Sequence, residues 1–264
     1  MLKKIALYIK IIRQQRHKCR FIASRILMKS GLSRYIVFHR NTYNLRFHPS
    51  SLTASLWVNP KERLEEEAFI SSIVEAGDIA IDVGANIGTV SFALSKKTGQ
   101  SGKILAFEPH PAVFTYLADN IALNGLEECI KPYCMALGET VETLYFSDQS
   151  DDTNNAVSDK GTIEIHVKRL DDMVARDKAV RLLKIDVEGF EYQVLLGAKE
   201  TCKNTDIIYL ECIPAMLEPN GGSERKICAF LEDLGFKISQ VMGDTLVDNV
   251  IGSHKKKMLL ARRI

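Results

Sequence analysis

The sequence predicts an α/β protein with a mostly parallel sheet covered by helices on both faces and preceded by a basic arm. Two patterns predict the sheet: short apolar stretches alternate with helical patterns from residue 79 onwards, and a glycine-rich turn joins the first stretch to its helix. A third pattern separates the arm from the body. The first 61 residues hold 13 of the 35 Lys and Arg residues and no acidic residue, so the other 22 accompany all 33 Asp and Glu residues.

We assign the arm to residues 1–49 and the body to residues 50–264. In the arm, Ile residues recur at three- and four-residue intervals between Lys and Arg, which predicts a basic amphipathic helix over residues 2–29 that ends at Gly31. Such a helix suits either an anionic membrane surface or the acidic surface of the body. A transit peptide is a third interpretation, which the small number of Ser residues disfavours.

The six cysteines form no CxxC pair and have no histidine at zinc-ligand spacing. This pattern predicts free thiols in a reducing compartment and no structural metal site. No stretch approaches the roughly 20 apolar residues of a membrane span. We therefore expect a cytoplasmic protein, which binds the inner face of a membrane peripherally if the arm binds lipid.

The elements of the body follow in order along the chain. Residues 36–58 are predicted to form short strands, and the next helix is predicted to be capped by Asn59. Further strands are predicted at 79–84, 103–109, 130–138, 180–189 and 206–212, and at the closing "KISQV" and "KKMLLARRI". Gly99 is expected to end the helix that follows the first of these. The polar stretch 147–161 is predicted to be either a lid over the substrate or a disordered connector.

The turn "DVGANIG" is predicted to hold a cofactor. Gly84 and Gly88 lack the Cβ atoms that would keep a ligand from the backbone, and the helix that begins near Thr89 directs N–H groups to the same place. A dinucleotide normally requires G-x-G-x-x-G, and the first glycine pair is missing here. Asp82 would repel a pyrophosphate and would suit an ammonium or a sulfonium group. The turn therefore favours S-adenosylmethionine over NAD.

Glu108 is the second predicted cofactor residue. It ends the second strand, 20 residues beyond Gly88. An acid at this place accepts hydrogen bonds from ribose hydroxyl groups. Both candidate cofactors contain a ribose, so Glu108 fits either.

Several stretches together resemble the FkbM family of S-adenosylmethionine-dependent methyltransferases. They lie between about residues 50 and 215 and include "DVGANIGTVSF", "AFEPHPAVFTYLADNIALNG", "RLDDM" and "LLKIDVEGFEYQVLLGA". The resemblance implies the class I methyltransferase sheet, a Rossmann-like sheet of seven strands that ends in an antiparallel hairpin. It also implies O-methylation of a sugar, glycolipid or polyketide-like acceptor. The positions that match the family's cofactor loop, ribose contact and "KIDVEG" signature are Asp82, Gly84, Asn86, Gly88, Glu108, Asp186, Glu188 and Gly189.

Asp186 and Glu188 are the predicted catalytic residues. A hydroxyl acceptor must lose a proton, which requires a base, and residues i and i+2 of an extended strand point the same way. Two acids in one partly desolvated site also tend to raise one pKa. The alternative is that Asp186 holds the methionine end of the cofactor and Glu188 caps the following helix. No metal is expected, because no third ligand is evident, and Glu211 is a candidate for the wall of the acceptor pocket.

Two other classes of function remain open on the sequence alone. One is an NAD(P)-dependent oxidoreductase, which the missing glycine disfavours. The other is a non-catalytic module that uses the same fold to bind a membrane or a partner, which the presence of all four acidic site residues disfavours. A nucleic-acid substrate is not expected, because the acidic body would repel phosphates. The favoured partner is a small-molecule or glycan acceptor.

Overall fold

The computed structural model describes residues 10–146, 161–243, 245–248 and 256–264. In chain order its strands are β1 Val37–Arg40, β2 Tyr43–Arg46, β3 Ile79–Val83, β4 Lys103–Phe107, β5 Ile130–Tyr133, β6 Ala136–Leu137, β7 Glu142–Phe146, β8 Ile163–Lys168, β9 Val180–Ile185, β10 Thr205–Cys212, β11 Phe236–Met242, β12 Thr245–Asp248 and β13 Lys257–Arg263. Its α-helices, after a helical turn at 10–14, are α1 Lys18–Ser30, α2 Ser51–Val58, α3 Leu64–Ser72, α4 Thr89–Thr98, α5 Pro111–Leu123, α6 Glu191–Leu196, α7 Lys199–Lys203, α8 Pro214–Leu217 and α9 Glu224–Asp233.

The central sheet has the strand order β12-β11-β13-β10-β9-β3-β4-β5. The five strands from β10 to β5 are parallel, and β13 lies antiparallel between β10 and β11. The predicted fold class is thus confirmed, with one strand more than the predicted seven, because β12 pairs antiparallel with β11. The chain begins the parallel part at β3, proceeds outwards to β5 and then crosses to β9. This switch in strand order places a cleft at the carboxyl ends of β3 and β9.

Helices cover both faces of the central sheet. Side chains of β3 alternate between the faces, as the pleat requires. Ala80 packs in the core layer that contains Leu94 of α4. Its neighbour Ile81 packs in the opposite layer with Leu195 of α6 and Leu231 of α9. The carboxyl ends of the strands are therefore held rigidly from both sides.

The hairpin β1–β2 is part of the body, so the predicted boundary at residue 49 is wrong. Tyr43 and Leu45 lie in the same core layer as α4, and Phe47 is fully buried. The following segment is also different from the prediction, because residues 51–58 form helix α2 instead of a strand. The Ser50 side chain accepts a hydrogen bond from the Thr53 N–H at 3.0 Å and thereby caps this helix.

Helix α3 begins at Leu64, later than the predicted cap at Asn59. The delay has a local cause. The guanidinium group of the buried Arg40 donates hydrogen bonds to the carbonyl oxygens of Pro60, at 2.9 Å, and Glu62. These bonds hold the chain in a turn, and the helix starts only after it.

Helix α1 forms the described part of the basic arm and ends at Gly31, whose φ of 67° confirms the predicted stop. A break at residues 15–17 separates α1 from the turn at 10–14, and residues 2–9 of the predicted helix lie outside the described residues. Phe21 of α1 is buried, whereas Ile22 and Ile26 are 43% and 63% exposed. In the part of the chain that the structure describes, no helix has the length and apolar character that crossing a membrane requires.

The predicted strand at 130–138 is divided between two sheets. Its first half is β5, at the edge of the central sheet, and its second half is β6, which pairs with β8 in a three-stranded sheet of order β6-β8-β7. The small sheet lies beside the cleft, because Leu137 of β6 and Leu144 of β7 line it. Residues 147–160 lie outside the described residues, so the predicted lid is not described.

Candidate active site

A cavity of about 410 Å³ lies at the carboxyl ends of the parallel strands. This volume falls within the usual range for small-molecule sites. Among the predicted site residues, those that line the cavity are Gly84, Asn86, Glu108, Asp186 and Glu188. The structure thus brings together most of the predicted site, and two predicted residues, Asp82 and Gly88, lie outside the lining.

Glu108 presents a buried carboxylate to the cavity. One oxygen accepts a hydrogen bond from the Asn86 N–H at 3.0 Å, and the other accepts one from the His110 N–H at 2.9 Å. Burial raises the pKa of Glu108 to about 7, against the opposing effect of these two hydrogen bonds. Each oxygen of a carboxylate has two acceptor positions, so one position on each remains. A ribose diol offers two hydroxyl donors and fits this pair of acceptors.

The glycines of the turn also serve the packing of the protein, a role that the sequence did not predict. A Cβ atom on Gly84, where φ is +77°, would lie 1.9 Å from the carbonyl oxygen of Asp186. A Cβ atom on Gly88 would lie 2.7 to 2.8 Å from the side chains of Phe92 and Leu117. Gly84 therefore lets the loops after β3 and β9 touch, and Gly88 lets helices α4 and α5 pack against the turn.

Asp82 is fully buried behind the turn and has two protein partners. Its carboxylate pairs with the Lys184 ammonium group at 3.0 Å and accepts a hydrogen bond from the Ser91 hydroxyl at 2.6 Å. The predicted direct contact with the cofactor is therefore replaced by an indirect role. Lys184 in turn donates hydrogen bonds to the carbonyl oxygens of Val83, at 3.2 Å, and Gly84, at 2.9 Å, and so holds the turn in place.

Lys184 is a site residue that sequence reasoning missed. Burial alone would lower its pKa, but the carboxylates of Asp82 and Asp186 outweigh this effect and the pKa is raised. A signal was present, because Asp82 and Lys184 are charged residues inside two apolar strands, and buried charges need partners. The two strands are neighbours, and the two residues lie directly opposite each other.

Asp186 and Glu188 both reach the cavity, but by a different route from the predicted one. Strand β9 ends at Ile185, and Glu188 lies in a tight turn with φ of 53°, so the pair is not part of an extended strand. Glu188 does not cap the next helix either. The N-cap of that helix forms no side-chain hydrogen bond. The Glu191 carboxylate instead holds the turn before the helix, because it accepts hydrogen bonds from the N–H groups of Val187 and Gly189, both at 3.1 Å.

Glu211 adds a third acid to this pair, from the end of the neighbouring strand β10. Carboxylate oxygens of Asp186, Glu188 and Glu211 lie within 4.8 Å of one another, and Glu211 forms an ion pair with Lys256. The expectation of no metal rested on a missing third ligand, and Glu211 supplies that third carboxylate. Burial and the charge of Asp186 raise the pKa of Glu188, and the same two causes raise the pKa of Glu211. Glu188 and Glu211 can therefore accept a proton more readily than an isolated carboxylate.

Strand order and site together define a class of enzyme. The central sheet ends in an antiparallel hairpin, the buried acid Glu108 follows the end of β4, and the turn after β3 lacks the dinucleotide glycines. These features define an S-adenosylmethionine-dependent methyltransferase with a Rossmann-like sheet.

The particular family follows from sequence comparison. Residues 82–238 match the model of the methyltransferase FkbM domain, so the chain belongs to the FkbM methyltransferase family. Its cofactor is S-adenosylmethionine, and the NAD(P)-dependent alternative is not supported. Methyltransferase sdnD of Sordaria araneosa is 27% identical over 239 residues, which cover 77% of this chain and 88% of the relative.

Two further relatives carry names that state a substrate. Hexuronic acid methyltransferase AglP of Haloferax volcanii is 27% identical over 201 residues, which cover 74% of this chain and 81% of AglP. The 31-O-demethyl-FK506 methyltransferase FkbM of Streptomyces tacrolimicus is 28% identical over 197 residues, which cover 61% of this chain and 74% of that protein.

Proposed function

We propose that the enzyme methylates a hydroxyl oxygen of a sugar, glycolipid or related metabolite. The observation that carries the proposal is the pair of Asp186 and Glu188 in the cavity lining, with Glu211 within 4.8 Å of both. These acids offer a base to an acceptor that must lose a proton. The names of two relatives, which act on a hexuronic acid and on an O-demethyl metabolite, support it.

Cofactor binding is assigned to three residues of the cavity wall. Glu108 would hold the ribose diol, and the turn containing Gly84 and Asn86 would lie against the cofactor while Lys184 keeps that turn in place. When bound, the cofactor supplies an electrophilic methyl group. The remaining task of the protein is to orient the acceptor and to remove its proton.

Glu188 is the better base of the predicted pair. Its side chain forms no hydrogen bond or ion pair with another described residue, and desolvation together with the charge of Asp186 raises its pKa. Asp186, in contrast, already has a cation beside it, because it lies 3.9 Å from the Lys184 ammonium group. We assign proton removal to Glu188 and orientation of the reactants to Asp186.

The test is methyl transfer from isotopically labelled S-adenosylmethionine to a panel of neutral sugars, hexuronic acids and hydroxylated metabolites, with the methylated atom located by NMR. Glu188→Gln is expected to lower kcat about 100-fold or more, with unchanged affinity for S-adenosylhomocysteine. Glu164→Gln, at an exposed position of β8, is the matched control and should keep full activity.

Two results would overturn this assignment. A carboxylate acceptor is already ionised and needs no base, so methyl-ester formation with full activity in Glu188→Gln would exclude the hydroxyl mechanism. Cofactor binding without transfer to any acceptor of the panel would favour the non-catalytic module.

We also propose that the arm binds an anionic membrane surface. Four exposed residues of α1, spaced three or four apart, form one face of the helix: Lys18, Ile22, Ile26 and Lys29. We name it the outer face of α1. The buried residues of the helix, Phe21 and Ser24, are not part of this face, so intramolecular packing and membrane binding use different residues. The first 61 positions contain no acidic residue, so no negative charge in this segment would repel anionic headgroups. Each basic residue near such headgroups contributes about 1 kcal/mol to membrane binding.

Vesicle co-sedimentation tests the membrane proposal. The pair Ile22→Ser and Ile26→Ser, and separately Lys18→Glu and Lys29→Glu, should each reduce binding to phosphatidylglycerol vesicles about tenfold, with little binding of any variant to phosphatidylcholine. The control pair Leu246→Ser and Val247→Ser removes equally apolar side chains that are 38% exposed on β12. Equal binding of all variants would refute the proposal.

A further inference from the structure

Arg63 differs from the other cations around the cavity. Lys184 is held by Asp82, and Lys256 is held by Glu211. Arg63 lines the cavity, yet its guanidinium group forms no hydrogen bond or ion pair with any other residue of the described ranges. Its charge acts electrostatically on both Glu188 and Lys256, which locates it at the end of the cavity that holds the acidic cluster.

The backbone holds Arg63 in a conformation that non-glycine residues rarely adopt. Its φ is 62° and its ψ is 1°, in the left-handed region. The turn that imposes this conformation is fixed from behind by Arg40, through the carbonyl oxygens of Pro60 and Glu62 and a 2.7 Å ion pair with the buried Glu67. A disfavoured backbone persists only where surrounding contacts determine it, and such residues concentrate at functional sites.

We infer that Arg63 is the carboxylate-binding group of the active site. A guanidinium group binds a carboxylate with two parallel hydrogen bonds, which fixes its orientation as well as its position. Two carboxylates are chemically available to it: that of the methionine part of the cofactor, and that of an acidic acceptor such as a hexuronic acid. The second source rests on the proposed function, and the first rests only on the cofactor.

The charges around Arg63 explain why a single unpaired arginine matters. The acidic cluster would repel any carboxylate that entered this end of the cavity. Lys256 offsets Glu211, and Lys184 offsets Asp82, so both of these positive charges are already matched. Arg63 provides the positive charge that remains for an anionic ligand.

Isothermal titration distinguishes the two sources. The probes for the first are S-adenosylhomocysteine and 5′-methylthioadenosine, which lacks the amino-acid part. If Arg63 binds the cofactor carboxylate, Arg63→Met should weaken S-adenosylhomocysteine binding about 10- to 100-fold and leave 5′-methylthioadenosine binding unchanged. If Arg63 binds the acceptor, Arg63→Met should leave S-adenosylhomocysteine binding unchanged. Glucuronate should then bind the S-adenosylhomocysteine complex of the variant at least tenfold more weakly than that of the unaltered protein, with glucose as the neutral comparison.

Two further variants separate the side chain from the backbone. Arg63→Gly adopts a positive φ without strain, so a loss of affinity equal to that of Arg63→Met assigns the effect to the guanidinium group. Arg176→Met, at an exposed position outside the cavity, is the control for loss of one positive charge. The inference is overturned if Arg63→Met leaves both S-adenosylhomocysteine and glucuronate binding unchanged, or if 5′-methylthioadenosine binding falls equally. Failure of the unaltered protein to bind S-adenosylhomocysteine would instead contradict the assignment of S-adenosylmethionine as the cofactor.

Discussion

Glu108 gives the sharpest prediction, because its pKa of about 7 lies within the range of ordinary assays. Ribose hydroxyls donate to the ionised carboxylate, so binding of S-adenosylhomocysteine should favour ionisation and the affinity should rise with pH. With a pKa of about 7, roughly nine-tenths of the unbound protein is ionised at pH 8 and roughly one-tenth at pH 6. The dissociation constant should therefore increase about tenfold when the pH falls from 8 to 6.

Isothermal titration of the unaltered protein and of Glu108→Gln between pH 5.5 and 8.5 checks this prediction. The amide does not titrate, so the variant should bind S-adenosylhomocysteine about 10- to 100-fold more weakly at pH 8 and show no dependence on pH in this window. If Glu108→Gln kept the same slope, the titrating group would lie elsewhere. An unaltered protein with pH-independent affinity would refute the assignment of a desolvated carboxylate at the ribose position.

The same group should change stability in the opposite direction. A carboxyl group whose pKa is raised on folding stabilises the protein fully below its unfolded pKa, and that contribution is lost as the pH rises through the folded value. From an ordinary pKa near 4.5 to about 7, the loss is about 3 kcal/mol. Urea unfolding of the unliganded protein should thus show a free energy of unfolding that falls between pH 5 and pH 7.5, and Glu108→Gln should reduce that fall.

Three further predictions concern the frame of the site. Lys184→Met should lower the free energy of unfolding by about 3 to 5 kcal/mol in urea titrations, because it leaves the Asp82 carboxylate buried without its cation; the double variant with Asp82→Asn should recover part of that loss, and no recovery would contradict the pairing. Gly84→Ala should destabilise the protein by about 2 kcal/mol or more, seen as a lower Tm, because the new Cβ atom meets the Asp186 carbonyl; an unchanged Tm would disprove the close approach. Arg40→Lys should weaken binding of the carboxylate ligand of Arg63 less than Arg63→Met does, because it loosens the turn but leaves the Arg63 guanidinium group in place.

Much of the body could be predicted from local patterns alone. Gly31 and Gly99 end their helices where the sequence predicts, and Pro111 begins its helix, because these residues act through their own backbone conformations. The prediction of a strand at residues 51–58 was wrong for a physical reason. Five of the eight are buried on all sides of the helix, so the segment lacks the one-sided periodicity that distinguishes a helix from a strand.

The site shows the same division between local and distant information. Glu108 is recognisable, because the end of a strand at a fixed distance from the turn identifies it. Arg63 is not recognisable, because its place in the cavity depends on Arg40, which holds the preceding turn by hydrogen bonds to the carbonyl oxygens of Pro60 and Glu62. Glu211 reaches the acidic cluster because β10 pairs with β9, and the local sequence does not determine the register of that pairing.

The N-terminal hairpin connects these observations. Composition separates it from the body, since it belongs to the basic, acid-free part of the chain, yet Arg40 of that hairpin supplies the cation that the buried Glu67 of α3 requires. A buried carboxylate without its cation is strongly unfavourable, so hairpin and α3 fold as one unit. The turn between residues 60 and 63 is a consequence of that pairing, and Arg63 faces the cavity because of the turn. Arg63, one of the residues that line the cavity, is thus placed by contacts that lie upstream of the segment that matches the family, 82–238.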